Sequence, residues 1–228
     1  GVETKLANAG IELDAGTPLP FVLGTWHVPA HLRIARVGRV NYGFLDIPAL
    51  YDRLGHLYGP HGAAEFGDNA IRFGALGKAV ATAGPKLFGA SPDVIHVHDW
   101  QGGPAAVFAR VDNLPSAVVM TIHNLAYRGI FPKSVMSELG IPWSLFNFRQ
   151  LEFYDQISLL KGGCAVADVV TTVSPTYAEE ILTPERGEVL DGFLRTNIKR
   201  LVGIVNGIDT LFWDPATDRV SIIEVNPR

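Results

Sequence analysis

The segment Asp93-Val94-Ile95-His96-Val97-His98-Asp99-Trp100 decides how the rest of the chain is read. Val94, Ile95 and Val97, with the bulky Trp100, have the composition of a buried strand. Two histidines and an aspartate crowd its carboxyl end, and Gly102-Gly103-Pro104 follows at once. Inside a core, polar groups such as His98 and Asp99 are costly without partners. At the carboxyl edge of a parallel sheet, where α/β proteins bind their ligands, the same groups become useful.

Three more apolar runs end in the same manner. Residues 116–122 (Ser-Ala-Val-Val-Met-Thr-Ile) stop at His123-Asn124, Val169–Val173 stops at Ser174-Pro175, and Leu201–Val205 stops at Asn206-Gly207. Helical patterns separate them. Asp68 is placed to cap a helix over Asn69–Leu87 with Ile71, Ala75, Leu76, Ala79 and Val80 on its apolar face. Further helices are predicted from Pro104 to about Val111 and over Leu151–Val166, Thr176–Leu182 and Phe193–Lys199. Strands alternating with helices predict an α/β fold, a Rossmann-like parallel sheet with flanking helices on both faces. In such a sheet the four polar strand ends converge on one rim.

Before this region, residues 1–20 read as a surface lead-in. Leu32–Ile47 reads as a hairpin turning at Gly38-Arg39. Residues 125–150 combine Tyr127, Phe131-Pro132, Pro142-Trp143, Phe146 and Phe148, an irregular excursion that either lines a groove or packs as a loop. The tail carries a strand-like Val220–Val225.

Composition narrows the function classes. The 228 residues are 47% hydrophobic and 18% charged, the balance of a globular protein able to bury a core. A net charge of −4 argues against a general nucleic-acid binder. Cys164 is the single cysteine, so no intrachain disulfide forms, which suits a reducing compartment. No apolar run approaches the roughly 20 residues that span a bilayer, and the amino end lacks the order of a signal peptide. The expectation is a soluble intracellular protein with no membrane partner.

Several chemistries compete for the strand-end residues. His96, His98, Asp99 and His123 include the ligand types zinc uses, although in a strand His96 and His98 face one side and Asp99 the other. A polar substrate site, and histidines that merely satisfy core hydrogen bonds, are the other readings. Cys164 reads as packing, and Ser174 lacks a Gly-X-Ser-X-Gly elbow. Neither a Gly-X-Gly-X-X-Gly fingerprint nor a Walker lysine is present. Gly102-Gly103 either sets a helix amino terminus against an anion or makes a turn. The aromatics of 143–154 are either core or a sugar platform. His, Asn, Asp and Tyr side chains on a rim, beside aromatic faces, suit hydroxyl-rich ligands.

Five blocks carry a resemblance: 92–100 (Pro-Asp-Val-Ile-His-Val-His-Asp-Trp), 121–131 (Thr-Ile-His-Asn-Leu-Ala-Tyr-Arg-Gly-Ile-Phe), 151–163 (Leu-Glu-Phe-Tyr-Asp-Gln-Ile-Ser-Leu-Leu-Lys-Gly-Gly), 172–181 and 203–210. From about Asp46 to Asp218 the chain resembles the bacterial glycogen synthase and plant starch synthase family; residues 1–45 match weakly. The resemblance implies the amino-terminal, acceptor-side lobe of a two-lobed GT-B glycosyltransferase, with residues 1–228 as a single Rossmann-like domain. It implies transfer of glucose from ADP-glucose (or UDP-glucose) to the non-reducing end of an α-1,4-glucan, with retention and with no metal or other cofactor. By the same resemblance His123 and Asp99 are the catalytic candidates. His123 would hold the donor glucose, Asn124 and Asn206 would bind sugar hydroxyls, and Asp99 and Tyr58 would organise the acceptor side. The family's locations imply bacterial cytoplasm or plastid stroma.

The family pattern also includes an opening strand with Lys-Thr-Gly-Gly and a second, nucleotide-binding lobe, neither of which matches this sequence. The expectation is therefore a sheet incomplete at its amino end, open to self-association at an edge, and a lobe inactive alone. Two rival functions are a non-catalytic glucan-binding or regulatory module and a metal-dependent hydrolase built on His96, His98, Asp99 and His123.

Overall fold

The computed structural model describes residues 2–61, 65–210 and 213–214, without the side chains of residues 2–4 and Phe88. The amino-terminal part is more ordered than a lead-in. It holds helix α1 (Val2–Asn8) and strands β1 (Thr17–Pro18), β2 (Phe21–Leu23), β3 (Trp26–Val28), β4 (His31–Val37) and β5 (Val40–Asp46). β2 and β3 pair as a hairpin, and β1 adds to the β4–β5 hairpin, which closes at Val37↔Val40 over Gly38 (φ 60°) as the alternation predicts. The surface reading of 1–20 fails at its end because Leu19 is fully buried, an apolar anchor for the strands on either side of it.

After α2 (Pro48–Tyr51) comes α3 (Asn69–Phe88), which leads to β6 (Val94–His98), α4 (Asp99–Val111) and β7 (Ala117–Ile122). Residues 125–150 contribute β8 (Ile130–Pro132), α5 (Val135–Leu139) and a 3-10 turn at Trp143–Leu145. The chain then forms β9 (Glu152–Phe153), β10 (Gln156–Ser158), α6 (Leu159–Val166), β11 (Val169–Thr172), α7 (Pro175–Glu180), α8 (Asp191–Asn197) and β12 (Leu201–Gly203). The predicted strand at Val220–Val225, and any pairing by it, lies outside the described residues.

β12, β11, β7 and β6 form one sheet in that order, every pair parallel. Ile95, Val97, Val118, Met120 and Ile122 are buried on the face that α4 and α6 cover. β6 is an edge strand whose Val94, His96 and His98 face is exposed, so it alternates where a fully buried strand was predicted. The edge strand itself was expected; among the described residues nothing pairs with it beyond β7.

The helices depart from prediction for one recurring reason, close approach. α4 begins at Asp99, and Gly102-Gly103-Pro104 lie inside it, so they form neither a turn nor an anion cradle. A Cβ on Gly103 would come within 2.2 Å of the Leu159 carbonyl oxygen, and one on Gly163 within 2.8 Å of the Gly103 Cα. α3 meets α4 in the same way: a Cβ on Gly77 would lie 2.6 Å from the Ala105 backbone nitrogen. α3 therefore turns its small residues Gly74, Ala75, Gly77 and Ala79 inward, and Leu76 and Val80 of the predicted apolar face stand half exposed. Asp68 precedes α3 without capping it through its side chain, because its carboxylate is engaged by both terminal nitrogens of Arg53 at 2.9 Å.

Leu151–Val166 is a hairpin followed by a helix, not one long helix. Tyr154 and Asp155 both have positive φ (49° and 60°), the backbone of a two-residue primed turn joining β9 to β10. Ser158 then caps α6 by accepting from the Lys161 backbone nitrogen at 3.1 Å.

Candidate active site at the carboxyl edge of the sheet

Parallel pairing sets His98 of β6 opposite Thr121 of β7, so the residues following each strand meet on one edge. His98 Nδ1 and His123 Nε2 lie 3.0 Å apart and share one hydrogen bond. The backbone N–H of His123 donates to Asp99 Oδ1 at 2.8 Å. One layer below, His96 Nε2 contacts Thr121 Oγ1 at 2.7 Å, and Thr121 Oγ1 contacts Thr171 Oγ1 at 2.6 Å. This polar ladder crosses β6, β7 and β11 and satisfies buried hydroxyls that an apolar strand could not pair. Burial, followed by the neighbouring His96 and His123, lowers the His98 pKa from its ordinary value, while Asp99 opposes the shift. The imidazole is thereby kept neutral.

Asp99 itself adopts φ 51°, a left-handed conformation that aspartate tolerates better than most residues. That geometry turns the chain directly from β6 into α4. It leaves Asp99 on the wall of a cleft of about 400 Å³ lined by Tyr58, Glu65, Trp100, Gln101, Asn124 and Tyr127. The volume falls in the range of about 300–1,000 Å³ that small-molecule sites occupy. Gln101 Nε2 donates to the Tyr58 hydroxyl at 2.6 Å, and the Asn124 side-chain oxygen accepts from the Ala126 backbone nitrogen at 3.0 Å. Among the described residues no lysine or arginine lines this cleft, and two carboxylates do.

The wall is held from behind. Trp100 packs edge-on against Phe73 at 4.8 Å between ring centres, and Gly129 (φ 59°) lies so close that a Cβ would fall 2.7 Å from the Trp100 Cβ. The loop carrying Tyr58 is pinned by the buried Arg72, whose guanidinium donates to the carbonyls of Leu50 (3.2 Å) and Leu57 (2.8 Å) and to Asn69 Oδ1 (2.7 Å). Asn69 Nδ2 donates in turn to the Tyr58 carbonyl at 2.9 Å.

The structure thus brings Tyr58, Asp99 and Asn124 into one cleft and places His123 beside Asp99 on the same edge. Asn206 follows β12, two strand spacings or about 10 Å along that edge from β7, and is exposed. Tyr127 supports the groove-lining reading of 125–150. Glu65 and Gln101 were missed: Glu65 sits in a loop with no pattern, whereas Gln101 lay only two residues past Asp99 and was legible. The four candidate zinc ligands are not arranged as a metal site: two of the imidazoles are spent on each other, and among the described residues no group of three or more His, Cys, Asp or Glu is placed to hold a metal ion. Cys164 is buried in α6, its thiol pushed up to about 12 by burial. Ser174 caps α7, accepting from the Tyr177 backbone nitrogen at 2.9 Å.

Comparison with known proteins supplies the kinship. Residues 7–196 match the family model described as starch synthase catalytic domain, so the match begins well before Asp46. Over 213 residues the chain is 44% identical to a glycogen synthase of Rhodopseudomonas palustris (strain BisA53), covering 92% of this chain and 43% of that protein. It is 47% identical over 196 residues to a glycogen synthase of Anaeromyxobacter sp. (strain K), covering 83% and 41%. Among solved structures, the catalytic domain of starch synthase IV from Arabidopsis thaliana bound to ADP and acarbose superposes with a TM-score of 0.78 at 28% identity, over 92% of this chain and 43% of that one. The chain spans about two fifths of the length of these relatives. Sequence match, parallel sheet and strand-end cleft agree: this chain belongs to the starch synthase catalytic domain family.

Proposed function

We propose that the chain forms the acceptor-side lobe of a retaining glucosyltransferase, a glycogen synthase that moves glucose from ADP-glucose (or UDP-glucose) onto the non-reducing end of an α-1,4-glucan. The bacterial relatives named glycogen synthase support this reading and a bacterial cytoplasm as the setting, and the Arabidopsis structure holds ADP and acarbose. The observation that carries it is the double engagement of Asp99, which lines the cleft and fixes the His123 backbone at 2.8 Å. A shift of either residue is therefore felt by the other.

In this scheme the acceptor enters along Tyr58 and Tyr127, which are exposed at 37% and 66% and whose faces suit sugar rings, with the buried Trp100 as backing. Asn124 and Asn206 hold hydroxyls, and His123 holds the donor glucose with a ring oriented by His98. Glycosyl transfer develops positive charge at the anomeric carbon. A cleft lined by two carboxylates, with no cation among its described lining residues, stabilises that charge more in the transition state than in the ground state. Rate enhancement then comes from positioning and electrostatics, with no side-chain nucleophile.

Calorimetry with maltoheptaose tests the acceptor side. Saturable binding is expected, weakened about tenfold by Asn124→Ala, as loss of one hydrogen bond to a ligand predicts at about 1–1.5 kcal/mol. Absence of saturable binding by the unsubstituted protein overturns the proposal.

A further inference from the structure

β12 ends at Gly203, and the backbone then runs without helix or strand from Ile204 to Asp209. Ile204 is its last anchored point, its N–H donating to the Thr172 carbonyl at 2.8 Å; the next backbone bond runs from the Trp213 N–H to the Asp209 carbonyl. Between these anchors Asn206 and Gly207 are exposed, as are their neighbours Val205 (69%) and Ile208 (67%). Among the described residues, neither the Asn206 amide nor the Gly207 N–H has a hydrogen-bond partner. A Cβ on Gly207 would meet nothing within 4 Å.

An asparagine side chain folds back readily onto the backbone that follows it. Its amide carbon is electrophilic, and the next backbone nitrogen is placed to close a five-membered ring on it. Two things ordinarily prevent the reaction: a side chain crowding that nitrogen, or a hydrogen-bonded backbone that cannot turn. The chain contains nine asparagines, and the other eight are followed by Ala, Tyr, Leu, Phe, Ile or Pro, so only Asn206 lacks the first barrier. It lacks the second as well. Asn69, by contrast, is fully buried and donates to the Tyr58 carbonyl, and Asn147 donates to the Ser144 carbonyl at 2.8 Å. Asp191-Gly192 also pairs an acidic-type side chain with glycine, but α8 holds it helical and Arg195 engages its carboxylate at 2.8 Å.

We infer that Asn206-Gly207 is a site of spontaneous covalent modification, where the chain turns its own amide into a carboxylate. The Gly207 backbone nitrogen gives its proton to hydroxide or water and attacks Asn206 Cγ. The Cγ–Nδ2 bond breaks, ammonia leaves with a proton from the solvent, and a succinimide remains. Water then adds to either ring carbonyl, leaving aspartate or isoaspartate at 206. One water is consumed and one ammonia released, with no oxidant, enzyme or cofactor required.

The product differs from the original in two respects. A carboxylate only accepts, whereas the amide also offers two N–H donors. The isoaspartyl form further inserts a methylene into the main chain and displaces Gly207 from the edge where β12 ends. The consequence for ligands rests on the proposed function: if Asn206 holds a sugar hydroxyl, modification removes a donor there and ageing weakens the sugar site.

Peptide mass mapping of the protein aged in mildly alkaline buffer tests this, beside Gly207→Ala treated identically. Gly207 has open space and no positive φ, so the variant keeps the fold, and circular dichroism verifies it. Asn206 is expected to gain one mass unit before any other asparagine, with ammonia released in step. In Gly207→Ala the reaction should be about tenfold slower, because a side chain crowds the attacking nitrogen and restricts its backbone. Equal rates in the two proteins, or an Asn206 that stays intact while other asparagines react, overturns the inference. Calorimetry with maltoheptaose on fresh protein, aged protein and Asn206→Asp separates it from the functional reading. Affinity about tenfold weaker in both altered forms supports the two together. Modification with unchanged affinity supports the site and removes Asn206 from the sugar contacts. Saturable binding by a protein whose Asn206 does not react overturns the site and leaves the proposed function intact.

Discussion

Asp99 and His123 are joined through backbone as well as proximity: the Asp99 carboxylate accepts the His123 N–H at 2.8 Å while Asp99 holds φ 51° at the strand-to-helix turn. Two properties of aspartate are used at once, an acceptor oxygen and tolerance of the left-handed region. Asparagine offers both. Asp99→Asn is therefore expected to fold with a midpoint close to the original, whereas Asp99→Ala loses the acceptor and meets backbone strain, destabilising by about 1–3 kcal/mol. Maltoheptaose affinity should fall in both, since the charge at the cleft is lost, and thermal melting beside calorimetry separates the two effects. Equal melting of the two variants would show that the turn does not depend on this oxygen.

His98 connects that pair to solution pH. Burial and the adjoining His96 and His123 lower its pKa below 6.5, against the pull of Asp99. A group whose protonation is disfavoured in the folded state makes the unfolded chain take up the proton first. Stability is then constant above about pH 6.5 and declines as pH falls through the lowered value. Proton–nitrogen NMR should show the His98 imidazole titrating below its ordinary midpoint, and His98→Gln should remove part of the decline between pH 6.5 and 5. A midpoint above 6.5 would mean that Asp99 dominates.

The contrast between what the sequence announces and what it conceals has a physical origin. β7 lies inside the sheet as a largely apolar run, and the polar residues that stop it, His123 and Asn124, stand out for that reason, while Asp99 was legible because it ends the strand-like run of β6 just before Trp100. The β9–β10 hairpin was hidden because its turn is Tyr154-Asp155, where Asn-Gly would have signalled the positive φ values. The start of α4 was hidden because glycine is a poor helix former, while the contact with α6 requires it at position 103. Glu65 and Arg72 act through loop geometry that leaves no periodic trace.

Gly103 makes that last conflict testable. A methyl group there would overlap the Leu159 carbonyl oxygen at 2.2 Å, a backbone atom that cannot swing aside. Helix propensity alone favours alanine by about 1 kcal/mol. Overpacking opposes it by about 1–3 kcal/mol or more. Gly103→Ala should therefore destabilise, with α4 and α6 pushed apart and Asp99 displaced at the head of α4. Urea denaturation decides the sign, and a stabilised variant would refute the tight α4–α6 crossing.

At the opposite end of the sheet Asp168 serves only the fold. Its Oδ2 accepts from the Val118 backbone nitrogen at 2.7 Å and from Arg110 at 2.6 Å, while Arg110 also donates to the carbonyls of Ser116 (3.1 Å) and Val166 (3.2 Å). One carboxylate thus ties the entry of β11 to β7 and to the end of α4. The Val118 N–H, then Arg110, lower the Asp168 pKa from its ordinary 3.8, against some desolvation. A carboxyl that holds its charge more tightly when folded contributes stability at neutral pH, undiminished down to about pH 5. That contribution disappears as pH drops below about 4 through the lowered folded value. Solvent screens this half-exposed carboxylate, so its share of the total is modest. Asp168→Asn keeps an oxygen for Val118 but gives up the charge opposite Arg110. Its urea midpoint should lie below the original at pH 6, with the gap narrowing as pH falls below about 4, and parallel curves across that range would exclude Asp168 as a source of acid sensitivity.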